Sequence, residues 1–216
     1  MRSKIAALAA LAFVMASAAH ADHSAGSPAA ATPPPPLYEG LGTWTHKVTT
    51  NSPQAQKYFD QGLNLCFGFN HDEAVRAFRE AARIDPTCAM AWWGIAYASG
   101  PNINLPMDDD HNKIALDAAA MAKSLANGVT RPEKDYIAAI VARYSADPKV
   151  TRGALDSLYA RNMKALAKKY PKDADAAAFS AEAMLDLNPW NHWTLEGKAN
   201  PGTLDALGII VGVLKS

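Results

Sequence analysis

The sequence predicts an all-α fold, a right-handed stack of antiparallel helical hairpins built from about seven or eight helices. Three observations predict it. Residues 58 to 86 carry one complete hairpin signature: Tyr58, Gly62 and Leu65, then Ala74, Phe78, Ala81 and Pro86. The first three stand at i, i+4 and i+7, one face of a helix, and Ala74, Phe78 and Ala81 repeat that spacing on a second. Small residues let the two backbones approach, and the aromatics fill the space between them. Trp92 follows Tyr58 by 34 residues, the period of such a repeat. No window of alternating apolar residues reads as a strand.

Each element has its own start and stop signals. Ser52-Pro53 opens the first helix, with Ser as cap and Pro at the first helical position, and Gly68 follows its end at Phe67. Asn70 with Glu73 three residues on predicts a capping box for the second helix, which runs to about Ile84. Asp85-Pro86 leads into a third, Ala89 to Ser99, apolar all round. Gly100-Pro101 breaks the chain, and Asn102 to Met107 is a loop where a short turn is expected. A fourth helix spans Asp109 to Ala126. Thr130 and Glu133 bracket a fifth, to about Ser145. Thr151 caps a sixth, to Lys169, in which Tyr159, Met163 and Leu166 echo the earlier spacing before Pro171. Asp173 to Leu187 is a seventh. Asn188 to Gly202 is an aromatic loop, and Thr203 to Leu214 a last apolar helix. Leu204, Leu207, Ile210, Val211 and Leu214 then need a partner, which predicts self-association, another molecule, or a shortened form of a longer chain.

The first 21 residues read as a signal peptide. Arg2 and Lys4 precede an apolar run from Ile5 to Ala16, and Ala19-His20-Ala21 has the form of a cleavage site. The run is too short for a membrane span. The mature chain is expected to begin at Asp22, exported to the periplasm or beyond, with no membrane span left after cleavage. Residues 22 to 40, with Pro33 to Pro36, read as a linker of extended polyproline character, and 41 to 216 as the helical domain, regular over about 55 to 88. Removing Arg2 and Lys4 leaves 19 basic against 21 acidic residues. No basic patch stands out, which argues against a nucleic-acid partner. Cys66 and Cys88 fall at opposite ends of neighbouring hairpins, so two buried thiols are expected, not a disulfide.

Several stretches carry a family resemblance. They are Tyr58 to Leu63, Gly68 to Ala74, Asp85 to Met90, Trp93-Gly94, Gly100 to Asn104, Asn188-Pro189-Trp190 and Pro201-Gly202-Thr203. Over about residues 42 to 216 the chain resembles a family of exported bacterial tetratricopeptide repeat (TPR) proteins of poorly defined function. Its members are longer and carry further His-rich motifs. Those motifs are absent here, so any metal site they build is not carried over. The resemblance implies an extracytoplasmic helical-repeat scaffold, apparently in a short form, and supplies no reaction.

The candidate binding surface is the concave face of the stack, lined by the first helix of each pair. Phe59, Leu63 and Cys66 come from the first repeat, and Met90, Trp93 and Tyr97 from the second. Such a face suits a protein or peptide partner, or is covered by the chain's own loops. Asn102 and Asn104, in the loop that interrupts the second repeat, either donate to a ligand or satisfy local backbone. The histidines show no metal-ligand spacing. Met107 and His111, with Cys66, are the residues that would suit copper, and His71 is a further metal candidate; otherwise no cofactor is expected. No nucleophile–base pair or phosphate loop is legible, so the expected function is a binding scaffold. The alternative is a metal- or small-molecule-binding protein, perhaps a remnant of an enzyme.

Overall fold

A computed structural model describes residues 33–215. The expected signal peptide and the first part of the expected linker lie outside the described residues. The chain is all-helical, with isolated bridges at Asn102–Leu105 and Trp193–Ala199 and no strand among the described residues. The helices are α1 (Pro53–Phe67), α2 (His71–Ile84), α3 (Ala89–Ala98), α4 (Asp109–Leu125), α5 (Arg131–Val141), α6 (Arg152–Lys169), α7 (Ala174–Leu185) and α8 (Thr203–Leu214). A single 3₁₀ turn, Ala126–Gly128, joins α4 to the loop before α5. Each helix packs on the next along the chain, and α3 also packs on α1 and α5. No described helix is long and apolar enough to cross a membrane.

The capping chemistry follows the sequence at most starts. Ser52, Asp108, Thr151 and Asp173 each accept a backbone N–H of the first turn. Thr130 and Glu133 form a full capping box. The box expected at Asn70 and Glu73 does not form: Asn70 makes no side-chain cap bond, and Glu73 instead accepts the Tyr38 hydroxyl and pairs with Arg76. The fifth helix stops at Val141, earlier than expected. Arg143 and Tyr144 then turn inward, and the Tyr144 hydroxyl donates to the Ala96 carbonyl at 2.6 Å.

The signature residues lie where α1, α2 and α3 meet. Phe78 of α2 is fully buried between two glycines, one on each neighbouring helix. A Cβ on Gly62 would stand 2.7 Å from the Phe78 ring, and one on Gly94 2.5 Å. Both are closer than carbon atoms pack, so glycine is required by space and not by backbone angle. In urea unfolding, Gly94→Ala should lower stability by about 1–3 kcal/mol through overpacking. Gly153→Ala, at an α6 position with open space, should raise stability by about 0.4–1 kcal/mol.

Candidate functional site

Residues 34–51 are not helical and do not hang free. They clasp α1 from two sides. The first limb lies over α1 and α2: the Tyr58 hydroxyl donates to the Pro35 carbonyl at 3.0 Å, and the Gln61 amide donates to Pro36 O and accepts from Tyr38 N. Gly40 and Gly42, at φ +82° and +90°, then reverse the chain. Nothing crowds a Cβ at either, so the positive φ alone calls for glycine there. The second limb, 44–49, returns along α1 from Asn64 toward Gln56. Residues 34–40, expected as linker, are thus bound to the helical body.

The second limb has no strand to pair with, and side chains take that role. The Asn64 amide donates to Trp44 O at 3.1 Å. Asp60 accepts the His46 N–H at 3.1 Å and the Thr45 hydroxyl at 2.8 Å. The Gln56 amide donates to His46 O at 2.9 Å and accepts from Val48 N at 3.0 Å, as a neighbouring strand would. Glu133, at the start of α5, accepts both the N–H and the hydroxyl of Thr49 at 2.6 Å. These bonds, with those from its own cap residue, hold the Glu133 carboxyl below its ordinary pKa although burial pushes the other way. At the start of α7, Asp175 accepts the Trp44 indole N–H at 2.9 Å, and its other oxygen lies 2.6 Å from His46 Nδ1.

This limb, with α5 and α7, decides the fate of the expected apolar face. Phe59, Leu63, Cys66, Met90, Trp93 and Tyr97 are all 6% exposed or less. They form core, not an open surface. Phe179 of α7 packs edge-on to Trp93 at 5.4 Å and Tyr97 at 4.8 Å, and Tyr136 of α5 meets Trp93 at 5.6 Å. The His46 ring closes the layer against Tyr136 and Phe59. The apolar all-round α3 had signalled that burial. Both cysteines are free and buried; burial lifts the Cys66 thiol well above its ordinary pKa and Cys88 to about 11.

The loop after α3 covers a second site. Asn102 is buried, and its Oδ1 accepts the N–H groups of Asn104 and Leu105, so it satisfies local backbone. Asn104 is exposed and lines a cavity of about 380 Å³ with Met107, Arg152, Asp186 and Trp190. Beneath it, Arg143 is buried, donating to Pro101 O at 2.7 Å and Asp186 at 3.2 Å, with its guanidinium 4.3 Å from the Tyr159 ring centre. Burial and the neighbouring Glu182 push the Asp186 carboxyl up to about 7, and burial raises Glu182, which accepts the Tyr97 hydroxyl.

The remaining candidates are dispersed. His71 is half-buried, burial lowers its pKa, and neither ring nitrogen has a partner. His111 pairs with Asp108, its own helix cap, at 2.7 Å. Neither is in the His/Cys/Asp/Glu group whose ligand atoms converge among the described residues; that group is His46, Asp173 and Asp175. On α8, Leu204 is 59% and Leu214 80% exposed, with only Thr203 and Ala206 buried. The residues sequence reasoning missed are Gln56, Asp60, Asn64 and Asp175. Gln56, Asp60 and Asn64 stand at i, i+4 and i+8, a polar stripe beside the apolar face, and that stripe was the available signal. Comparison with family models, with curated proteins and with solved structures finds no match to this chain.

Because the Asp186 pKa is raised in the folded state, its contribution to stability is fully present below the ordinary carboxylate pKa and is lost as pH rises through about 7. Thermal melts from pH 4 to 8 should therefore show a decline across that window that is flatter in Asp186→Asn.

Proposed function

We propose that the chain is a peptide-binding module of the tetratricopeptide-like kind, a stack of helical hairpins whose inner face reads extended backbone and carries its own 44–49 limb as ligand. The observation that carries this reading is the Gln56 amide, which pairs with His46 O and Val48 N as a strand edge would. Asn64, Asp60 and Glu133 extend the same readout to Trp44 O, His46 N and Thr49 N. Contacts to backbone accept many sequences, while Asp175 and Glu133 select for residues like Trp44, His46 and Thr49 by side chain. That division is how an added strand is recognised: main-chain bonds give affinity and side-chain contacts give specificity. A partner peptide would have an extended conformation, an indole or imidazole, and a small hydroxyl residue three to five positions on. The aromatic core under the limb gives a rigid floor, so binding need not order the scaffold.

The reading includes export. It rests on Arg2, Lys4, the apolar run and Ala19-His20-Ala21. N-terminal sequencing of protein taken from a periplasmic fraction checks it, with Asp22 as the expected first residue.

The test is exchange in trans. Residues 44–49 are replaced by Gly and Ser, and a labelled peptide of residues 42–51 is added while fluorescence anisotropy is followed. Saturable binding is expected, weakened about tenfold by Gln56→Ala through loss of two neutral hydrogen bonds. A replaced chain that folds by circular dichroism and does not bind the peptide overturns the reading. So does one that no longer folds, because the limb is then core and not ligand.

A further inference from the structure

We propose that His46, Asp173 and Asp175 form a binding site for a divalent transition-metal ion of the zinc or manganese type. One nitrogen or oxygen from each of the three side chains lies within 4.8 Å of the others. Ligand atoms about 2.1 Å from a shared zinc ion stand roughly 3–4 Å apart, so the 2.6 Å His46–Asp175 contact would open and the wider separations close, by shifts on the order of 1 Å. The three come from distant parts of the chain, His46 from the 44–49 limb and the two carboxylates from the start of α7. Sequence spacing alone could not show them together.

The surroundings favour an ion. Each carboxylate is already aimed by a neighbour. The Trp44 indole N–H holds Asp175 Oδ1 at 2.9 Å, and the Tyr136 hydroxyl holds Asp173 Oδ2 at 2.8 Å. Donors of this kind orient ligand carboxylates in metal sites. Asp173 Oδ1 also accepts the Ala176 N–H as the cap of α7. The carboxylates of Asp175, Asp173 and Glu133 all act on the one imidazole. The start of α7 offsets only about half a charge, so the cluster stays anionic and a dication neutralises it. The Asp175 side chain is 6% exposed and His46 18%, which keeps the site partly shielded from water while leaving an approach.

The donor set names the class of ion. One imidazole and two carboxylates, with no thiolate or thioether, suit zinc or manganese and not copper(I). The site uses none of Cys66, Met107 and His111, the residues expected to suit copper, nor His71. A bound ion would tie the 44–49 limb to α7 and so fasten the limb in the groove. The site needs the limb in place but does not need it to exchange.

The test is calorimetric titration of Zn²⁺ into the full chain, untagged and stripped with a chelator. One saturable site of micromolar or tighter affinity is expected. His46→Gln and Asp173→Asn should each weaken it about tenfold or more, and His71→Gln should leave it unchanged. Asparagine can still cap α7, and melts without metal establish that each variant is folded. Zn²⁺ should raise the melting temperature of the wild type and not that of His46→Gln. No saturable binding, equal affinity in His46→Gln, or a preference for Ca²⁺ over Zn²⁺ overturns the site. Failure here leaves the peptide reading standing, and failure of peptide exchange leaves this site standing, because the titration uses the limb as it lies.

Discussion

An extended backbone laid against helices has no ladder to join, yet its N–H and C=O groups must be paired wherever water is excluded. The 44–49 limb meets that constraint entirely through side chains. Gln56, Asp60 and Asn64 offer amide and carboxylate groups along one stripe of α1, and Glu133 adds a carboxylate from α5. Without Gln56, Asp60 and Glu133 the part-buried polar groups of His46, Val48 and Thr49 would lack partners, at about 1–3 kcal/mol for each. With them it lies flat enough for His46 to reach Asp175 and for its ring to close over Phe59 and Tyr136. The limb lies on the helical body because α1 supplies the pairing.

The same closure explains the chemistry below. Trp93, Tyr97, Tyr136 and Phe179 come from α3, α5 and α7 and meet edge to face or stacked, the geometries aromatic rings favour. Burying them also buries the charged groups at the far end of α7. Glu182 and Asp186 resist ionisation there, and Arg143 is kept inside by Asp186, by the Pro101 carbonyl and by the Tyr159 face. One end of α7 therefore faces the limb with Asp173 and Asp175, and the other supports the 101–107 loop with Asp186. The two irregular stretches of the chain rest on the two ends of one helix.

Much of the fold was legible because helix signals are local. Ser52-Pro53, Thr130 with Glu133, Thr151 and Asp173 each mark a start within a few residues, and the Tyr58-to-Pro86 spacing marks a hairpin within one period. The seat of the 44–49 limb was not legible for the complementary reason. His46 and Asp175 are separated by 129 residues and Thr49 and Glu133 by 84, so no spacing rule links them. Glu133 was read as a cap partner, and it is one, but its second role depends on where residue 49 arrives. Pro33 to Pro36 read as spacer from composition; the Tyr58 hydroxyl and the Gln61 amide bind Pro35 and Pro36 through carbonyls that composition does not reveal. The apolar face was correctly seen as apolar, but apolarity cannot say whether a surface meets a partner or the chain itself.

Side-chain bonds to their backbone hold residues 34–51, which are not merely draped over α1. Amide hydrogen exchange of the folded chain, read by NMR, tests it most directly. The N–H groups of Tyr38, His46, Val48 and Thr49 donate to Gln61, Asp60, Gln56 and Glu133. They should exchange far more slowly than in a free peptide of residues 34–51. Exchange at the free-peptide rate at all four positions would mean that these side chains do not hold the limb.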